Sequence, residues 1–245
     1  MKYIFLGISI FFSLNLFPQT KVNEIPLPKG YERVVTAPNS FAYFLQNVEL
    51  SENDTVYYYN GQVKPDQSSH IAVLKYDIGT SDLQQCADAV MRLRGEYLFS
   101  QKRYSDIHFN FLGDGKPHYY TEYAKNDRTY NNFRKYMNYV FAYANTASLK
   151  KELKHVEISD MKIGDVLIQT GNPYGHAMIV MDMAENRKTH RKIFLLAQSF
   201  MPAQSIHIVK NFSNRTLSPW YFTDTERIIT PYWTFTKYDL YRFED

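Results

Sequence analysis

Four short apolar segments between residues 163 and 210 restrict the fold of this chain more than any other feature. Turn-forming or charged residues separate the segments, which read IGDVLIQT, GHAMIVMDM, KIFLLAQSF and SIHIVKN. Short strands joined by short turns usually pair with their neighbours along the chain. The pattern therefore predicts an antiparallel meander sheet in this region.

A helical period replaces the strand pattern in residues 79–101. Ser81 or Asp82 is a suitable N-cap, and Ser81 with Gln84 fits a capping box. Apolar side chains then recur at the spacing of one helix face, at Leu83, Cys86, Ala87, Val90, Met91 and Tyr97. Cys86 is thus predicted in the early turns of an amphipathic helix, on its inward face.

The remaining segments complete an α+β pattern. Hairpin turns are predicted at Asn60-Gly61 and Asp114-Gly115. Helices are predicted over 133–146 and 148–156, and an aromatic tail after residue 217 is expected to wrap the core. Without repeats or a linker, residues 21–245 are expected to form a single domain, with a core at about 70–99 and 161–210 and an α/β insertion at about 105–155.

Residues 1–20 have the pattern of a secretory signal peptide. Lys2 precedes an apolar stretch from Ile4 to Phe17, which is shorter than the roughly 20 residues that cross a bilayer. We therefore expect export to the periplasm or the extracellular space, with no integral membrane segment after signal removal. The formal charge of +3 is too small and too dispersed to indicate nucleic-acid binding. The oligomeric state stays open.

Cys86 is the one cysteine in the sequence, so no internal disulfide can form. It is a buried inert thiol, an intermolecular partner or a reactive group. A nucleophilic thiol needs a base and a donor for the oxyanion, and the amides of a helix N-terminus favour the thiolate. His176 opens an otherwise apolar strand, where an imidazole can face the helix. His176 is either a core histidine that bonds a backbone carbonyl or, with Cys86, one half of the predicted catalytic pair.

A third residue should orient the imidazole from the neighbouring strand. If residues 175–182 pair with 192–199, Gln198 falls opposite His176, while a slip of one residue brings Ser199 there instead. Gln204 is a further candidate for a functional amide. No cofactor is expected, and no metal site, because the remaining histidines show no ligand spacing: His70, His108, His118, His155, His190 and His207.

The order of a cysteine helix, GDVLI, a Gly-His strand and a strand with a polar residue resembles the papain-like NlpC-type and CHAP-type cell-wall hydrolases. The resemblance covers the cysteine helix and residues 161 to about 210. It implies a papain-like core with Cys86 as nucleophile, His176 as base and Gln198 as orienter. The implied substrates are cell-wall peptides or glycopeptides, cleaved at peptidoglycan amides. The competing hypothesis is a non-catalytic envelope binding module.

Over its full length the chain is also similar to a family of exported bacterial proteins described as a domain of unknown function (4846). That similarity implies no established activity. The segments that carry it are QQCADAVMRLRGEYL, GDVLIQTGNPYGHAMIV, LLAQSFMPAQSIHIVKN and SPWY.

Overall fold

The computed structural model describes residues 19–244. All but the last two residues of the predicted signal peptide lie outside this range. Within it, no helix is both long and apolar enough to cross a bilayer. The described chain mixes helices with antiparallel sheets, as predicted for an α+β fold.

The predicted meander forms the centre of the main sheet. Each strand pairs antiparallel with the next in the chain, which confirms the prediction. The four strands are β6 (Val166–Gln169), β7 (His176–Asn186), β8 (Lys192–Gln198) and β9 (His207–Val209).

Strands from distant parts of the chain extend the sheet to nine strands within residues 19–244. The added strands are β1 (Tyr31–Arg33), β2 (His70–Val73), β5 (Lys154–His155), β10 (Tyr221–Phe222) and β13 (Leu240–Arg242). β2 pairs with β9 at one side of the sheet, and β13 and then β5 continue from β6 at the other side. β1 pairs with β7, and β10 pairs with β8. The sheet is therefore wider than the predicted one, which ran only from residue 163 to residue 210.

Two antiparallel hairpins of the described chain lie outside the main sheet. The first joins β3 (His108–Asn110) to β4 (Pro117–Tyr119), which confirms the turn predicted at Asp114-Gly115. The second joins β11 (Arg227–Ile229) to β12 (Thr234–Thr236) in the aromatic tail. At Asn60-Gly61 the chain does turn, but a single bridge between Tyr57 and Val63 replaces the expected strand pair.

The cysteine helix, α2 (Cys86–Ser100), lies at the centre of the molecule against β7. Every residue from Cys86 to Leu98 is buried. Gly95 allows a neighbouring helix to approach α2 closely, because a Cβ atom at this position would lie only 3.0 Å from Sδ of Met137 on that helix. The other helices are α1 (Phe41–Gln46), α3 (Tyr120–Ala124), α4 (Tyr130–Tyr143) and α5 (Thr146–Glu152).

The start of α2 differs from the predicted start. Gln85 is the N-cap, and its amide donates to Oδ2 of Asp88 at 3.0 Å. The predicted caps Ser81 and Asp82 lie in the preceding turn, where Oδ1 of Asp82 accepts from the Ala203 amide at 2.6 Å. The Asp82 carboxylate thus joins α2 to the connection between β8 and β9. Cys86 consequently becomes the first residue of the helix.

Candidate functional site

Cys86 lies at the point where α2, α5 and the start of β7 meet. Its Sγ is 4.0 Å from Oγ1 of Thr146, the first residue of α5, and the Ala177 backbone amide is close enough to lower the pKa of the thiol. The thiol is buried, with 8% of the residue exposed. It borders a cavity of about 160 Å³ whose other walls include Asn145, Thr146, Tyr174 and Gly175.

His176 and Gln198 are in direct contact. Nε2 of His176 is 2.8 Å from Oε1 of Gln198. An amide oxygen only accepts, so Nε2 carries the hydrogen, and in the neutral ring Nδ1 is left as the acceptor. This is the tautomer in which Nδ1 can receive a proton.

The contact between His176 and Gln198 is diagonal and not the direct pairing that we predicted. Ile179 lies opposite Ala197, which places Gln198 two residues out of register with His176 but on the same face of the sheet. The long Gln side chain spans this diagonal. The two alternatives point elsewhere, since the Ser199 hydroxyl donates to backbone oxygens of Gln84 and Gln204, and Nε2 of Gln204 donates to Pro202 O.

Three aromatic rings cover the His176 imidazole. The ring centroids of Phe200, Trp233 and Phe235 lie 5.0, 5.4 and 5.9 Å from its centroid. Only 1% of His176 is exposed, and this burial lowers its pKa to about 4. The imidazole is therefore neutral near pH 7.

Cys86 and His176 begin two elements that pack against each other, α2 and β7, but their side chains are not hydrogen-bonded to each other in the described chain. Among residues 19–244, no hydrogen bond joins Cys86 to His176, and the amide that reaches the thiol belongs to the next residue, Ala177. Burial raises the pKa of the Cys86 thiol and the Asp88 carboxyl adds to this, while the Ala177 amide and the Thr146 hydroxyl oppose it. At rest the thiol and the imidazole are thus both neutral.

Thr146 and Ala177 were not recognised from the sequence. Ala177 contributes only its backbone amide, and because almost every residue has one, the sequence gives no sign of this role. Thr146 approaches the thiol because α5 packs against β6 and α2, and that packing joins parts of the chain 60 residues apart.

The turn GNPYG between β6 and β7 forms one wall of the cavity, and we expect Gly175→Ala to damage it. An added Cβ would lie 2.3 Å from the Gln169 carbonyl oxygen and 3.0 Å from Cγ2 of Thr146. Because the backbone must shift, the free energy of unfolding should fall by about 1–3 kcal/mol. Thermal unfolding measures this. Gly113→Ala is the matched control, since nothing lies within 4 Å of its added Cβ, and an equal loss in both variants would contradict the prediction.

Acidification should destabilise the protein through its buried imidazoles. Burial lowers the pKa of His176 to about 4 and that of His207 to about 3, against about 6.5 in an unfolded chain. The unfolded state therefore binds more protons between pH 6.5 and pH 3, and the stability present above pH 6.5 is lost as the pH falls through this window. The free energy of unfolding of the wild type, minus that of His207→Gln, should decline as the pH falls through this window. Denaturant titrations at each pH measure it. A constant difference between the two proteins would refute this.

No group of three or more His, Cys, Asp and Glu residues within 19–244 is arranged to hold a metal ion. A larger cavity of about 360 Å³ lies beside α1, where Tyr43, Asn47 and Lys75 contribute to its walls. It contains none of the predicted site residues.

One family model matches almost the whole described chain. No curated protein and no solved structure matches it. The model of one family, described as a domain of unknown function (4846), matches residues 22–242. This range contains Cys86, His176 and Gln198 and all the described strands of the main sheet. The chain therefore belongs to the family of the domain of unknown function (4846).

Proposed function

We propose that this protein is an exported cysteine amidase or peptidase that cleaves amide bonds in cell-wall peptides. One observation carries the proposal. Cys86 opens α2 near the backbone amide of Ala177, and the preceding residue, His176, has Nε2 of its ring 2.8 Å from Oε1 of Gln198. Nucleophile, base and orienter thus lie on three adjoining elements.

A papain-like core is part of the proposal. A helix that begins with the cysteine packs on an antiparallel sheet, and the histidine and glutamine lie on consecutive strands of that sheet. The residues from β2 to the end of α2 and from β6 to β9 would form the core. The β3–β4 hairpin with α3, α4 and α5 would then be an insertion that supplies Thr146 to the site.

In the proposed reaction, Sγ of Cys86 attacks the amide carbonyl as its proton passes to Nδ1 of His176. The C–N bond then breaks, and the imidazolium returns the proton to the leaving amine, which gives a thioester on Cys86. Water then hydrolyses the thioester: His176 takes a proton from the water as its oxygen bonds to the carbonyl carbon, the C–S bond breaks, and His176 gives the proton to the departing sulfur, which releases the carboxylic acid and restores the thiol. The Cys86 amide at the helix N-terminus would stabilise the oxyanion.

The neutral resting pair fits this mechanism. Burial disfavours the charged forms of both groups, so we propose that proton transfer accompanies attack on the bound substrate. The groups available for binding around the cavity are amides and hydroxyls, from Gln85, Asn145, Thr146 and Tyr174. Such groups can hydrogen-bond an uncharged peptide amide. The assignment to cell-wall peptides follows from the sequence resemblance, and export from residues 1–20.

The experiment is to incubate residues 21–245 with purified peptidoglycan and with soluble stem peptides, and to identify the products by mass spectrometry. We expect fragments that differ from the substrate by the addition of one water across an amide. Cys86→Ala is the control and should give none. Equal products from both proteins, or none from either, would count against the proposal.

The second candidate is a non-catalytic envelope module that binds such peptides. The buried thiol, its raised pKa and its lack of a hydrogen bond to His176 favour this candidate. Sedimentation with peptidoglycan distinguishes the two, because the module would bind it without cleavage, and Cys86→Ala would bind as well as the wild type.

A further inference from the structure

His207 extends the polar contacts of the site by one more residue. It lies on β9 directly opposite Gln198, and its side chain is fully buried. Nδ1 of His207 is 2.8 Å from the Ser205 carbonyl oxygen, and Nε2 is 3.3 Å from Nε2 of Gln198. Together with the 2.8 Å contact between Gln198 and His176, these form a chain of three hydrogen bonds.

The direction of each of these three hydrogen bonds follows from the contact between His207 and Ser205. A carbonyl oxygen only accepts, so Nδ1 of His207 must carry a hydrogen. Because burial keeps this ring neutral, its Nε2 is bare and accepts from the Gln198 NH₂ group. That fixes the amide with Oε1 towards His176, whose Nε2 then donates and whose Nδ1 is bare.

We propose that His207 is a positioning residue that sets the orientation of the Gln198 amide and, through it, the tautomer of His176. If the amide were rotated by 180°, its NH₂ group would face His176, and the ring proton would move to Nδ1. The base would then lack its acceptor. The inference rests on the proposed function for its catalytic meaning, but the tautomer itself exists with or without activity.

Two substitutions test the acceptor nitrogen of His207, Nε2, separately from its donor nitrogen, Nδ1. In His207→Gln the side-chain amide reaches the position of Nε2, so its oxygen can still accept from Gln198. In His207→Asn the amide reaches only as far as Nδ1, so it can donate to Ser205 but offers nothing to Gln198. Both variants are polar and smaller than or similar to histidine, which makes them a matched pair. Thermal unfolding and circular dichroism report whether each is folded.

The measurement is the ¹⁵N NMR spectrum of ring-labelled histidines at pH 7, which distinguishes protonated from bare ring nitrogens. In the wild type we expect hydrogen on Nε2 of His176 and on Nδ1 of His207. His207→Gln should keep the His176 tautomer, while His207→Asn should lower the ratio of the two tautomers by about tenfold, the effect of about one hydrogen bond. An unchanged ratio in folded His207→Asn would overturn the proposal.

The wild-type spectrum tests the proposal even if the Asn variant does not fold. Hydrogen on Nε2 of His207, or on Nδ1 of His176, would overturn it directly. Peptide hydrolysis is assayed separately. Inactive wild-type protein with the expected tautomers would refute the proposed function and leave the positioning role intact, whereas active protein with the opposite tautomers would do the reverse.

Discussion

Cys86→Ala and His176→Ala should each reduce peptide hydrolysis by about a thousandfold or more. The first removes the atom that bonds to the carbonyl carbon. The second removes the proton acceptor, and a buried thiol with a raised pKa supplies almost no thiolate by itself. Since the two groups act as a unit, the double variant should be no slower than either single variant. Initial rates of product formation measure all three effects.

His155→Ala is the control for this series, because His155 is an exposed histidine on β5, away from the cavity. It should keep the wild-type rate. Gln198→Ala should fall between the control and His176→Ala, because it frees the ring without removing it. A Cys86→Ala protein that still hydrolyses the substrate at the wild-type rate would exclude Cys86 as the nucleophile.

Arg92→Met should lower the free energy of unfolding by about 3–5 kcal/mol, the usual cost of removing one partner of a buried ion pair. The Arg92 side chain is completely buried in α2, and its Nε is 2.6 Å from Oε1 of Glu96, which is nearly as buried. Methionine fills similar space but removes the charged partner of the Glu96 carboxylate, which keeps a hydrogen bond from the Tyr130 hydroxyl. Urea denaturation of the two proteins measures the difference.

Arg103→Met provides the matched control. Arg103 pairs with Asp106 at 2.7 Å, but both side chains are more than one third exposed, so the loss should stay below about 1 kcal/mol. Similar losses for the two variants would show that burial of the Arg92 pair has no special effect on stability.

Arg92 also connects the stability of α2 to the site. Its Nη1 donates to Oε1 of Gln84 at 2.8 Å, and the Gln84 carbonyl oxygen accepts from the Ser199 hydroxyl at 2.9 Å. Ser199 follows Gln198 directly. One buried arginine therefore helps to hold the start of the cysteine helix against the end of the strand that orients the imidazole.

Local sequence patterns predicted the elements that carry the site. The meander of β6 to β9 and the hairpin at Asp114-Gly115 depend on alternation and turn residues close together in the chain. The same patterns predicted Cys86 in the early turns of a helix, which in fact begins at Cys86, and His176 at the start of a strand. Gln198 does contact His176, although across a diagonal and not in the predicted direct pairing.

The remaining features depend on contacts between distant segments, which periodicity does not encode. Strands β2 and β13 join the sheet from parts of the chain that are distant from the meander. Gln85 replaces the predicted caps because Asp82 is already bound to Ala203. Trp233 and Phe235 cover His176 from the C-terminal tail, and no spacing in the sequence indicates that His207 contacts Gln198.

The most direct test of the central claim is to trap the covalent intermediate. The folded protein is mixed with 4-nitrophenyl acetate at pH 7, and the acetylated residue is identified by mass spectrometry of the digested chain. The account predicts an acetyl group on Cys86 that forms before unfolding and forms much more slowly in His176→Ala. A Cys86 thiol that stays unmodified until the protein is unfolded, or that reacts equally fast without His176, would contradict it.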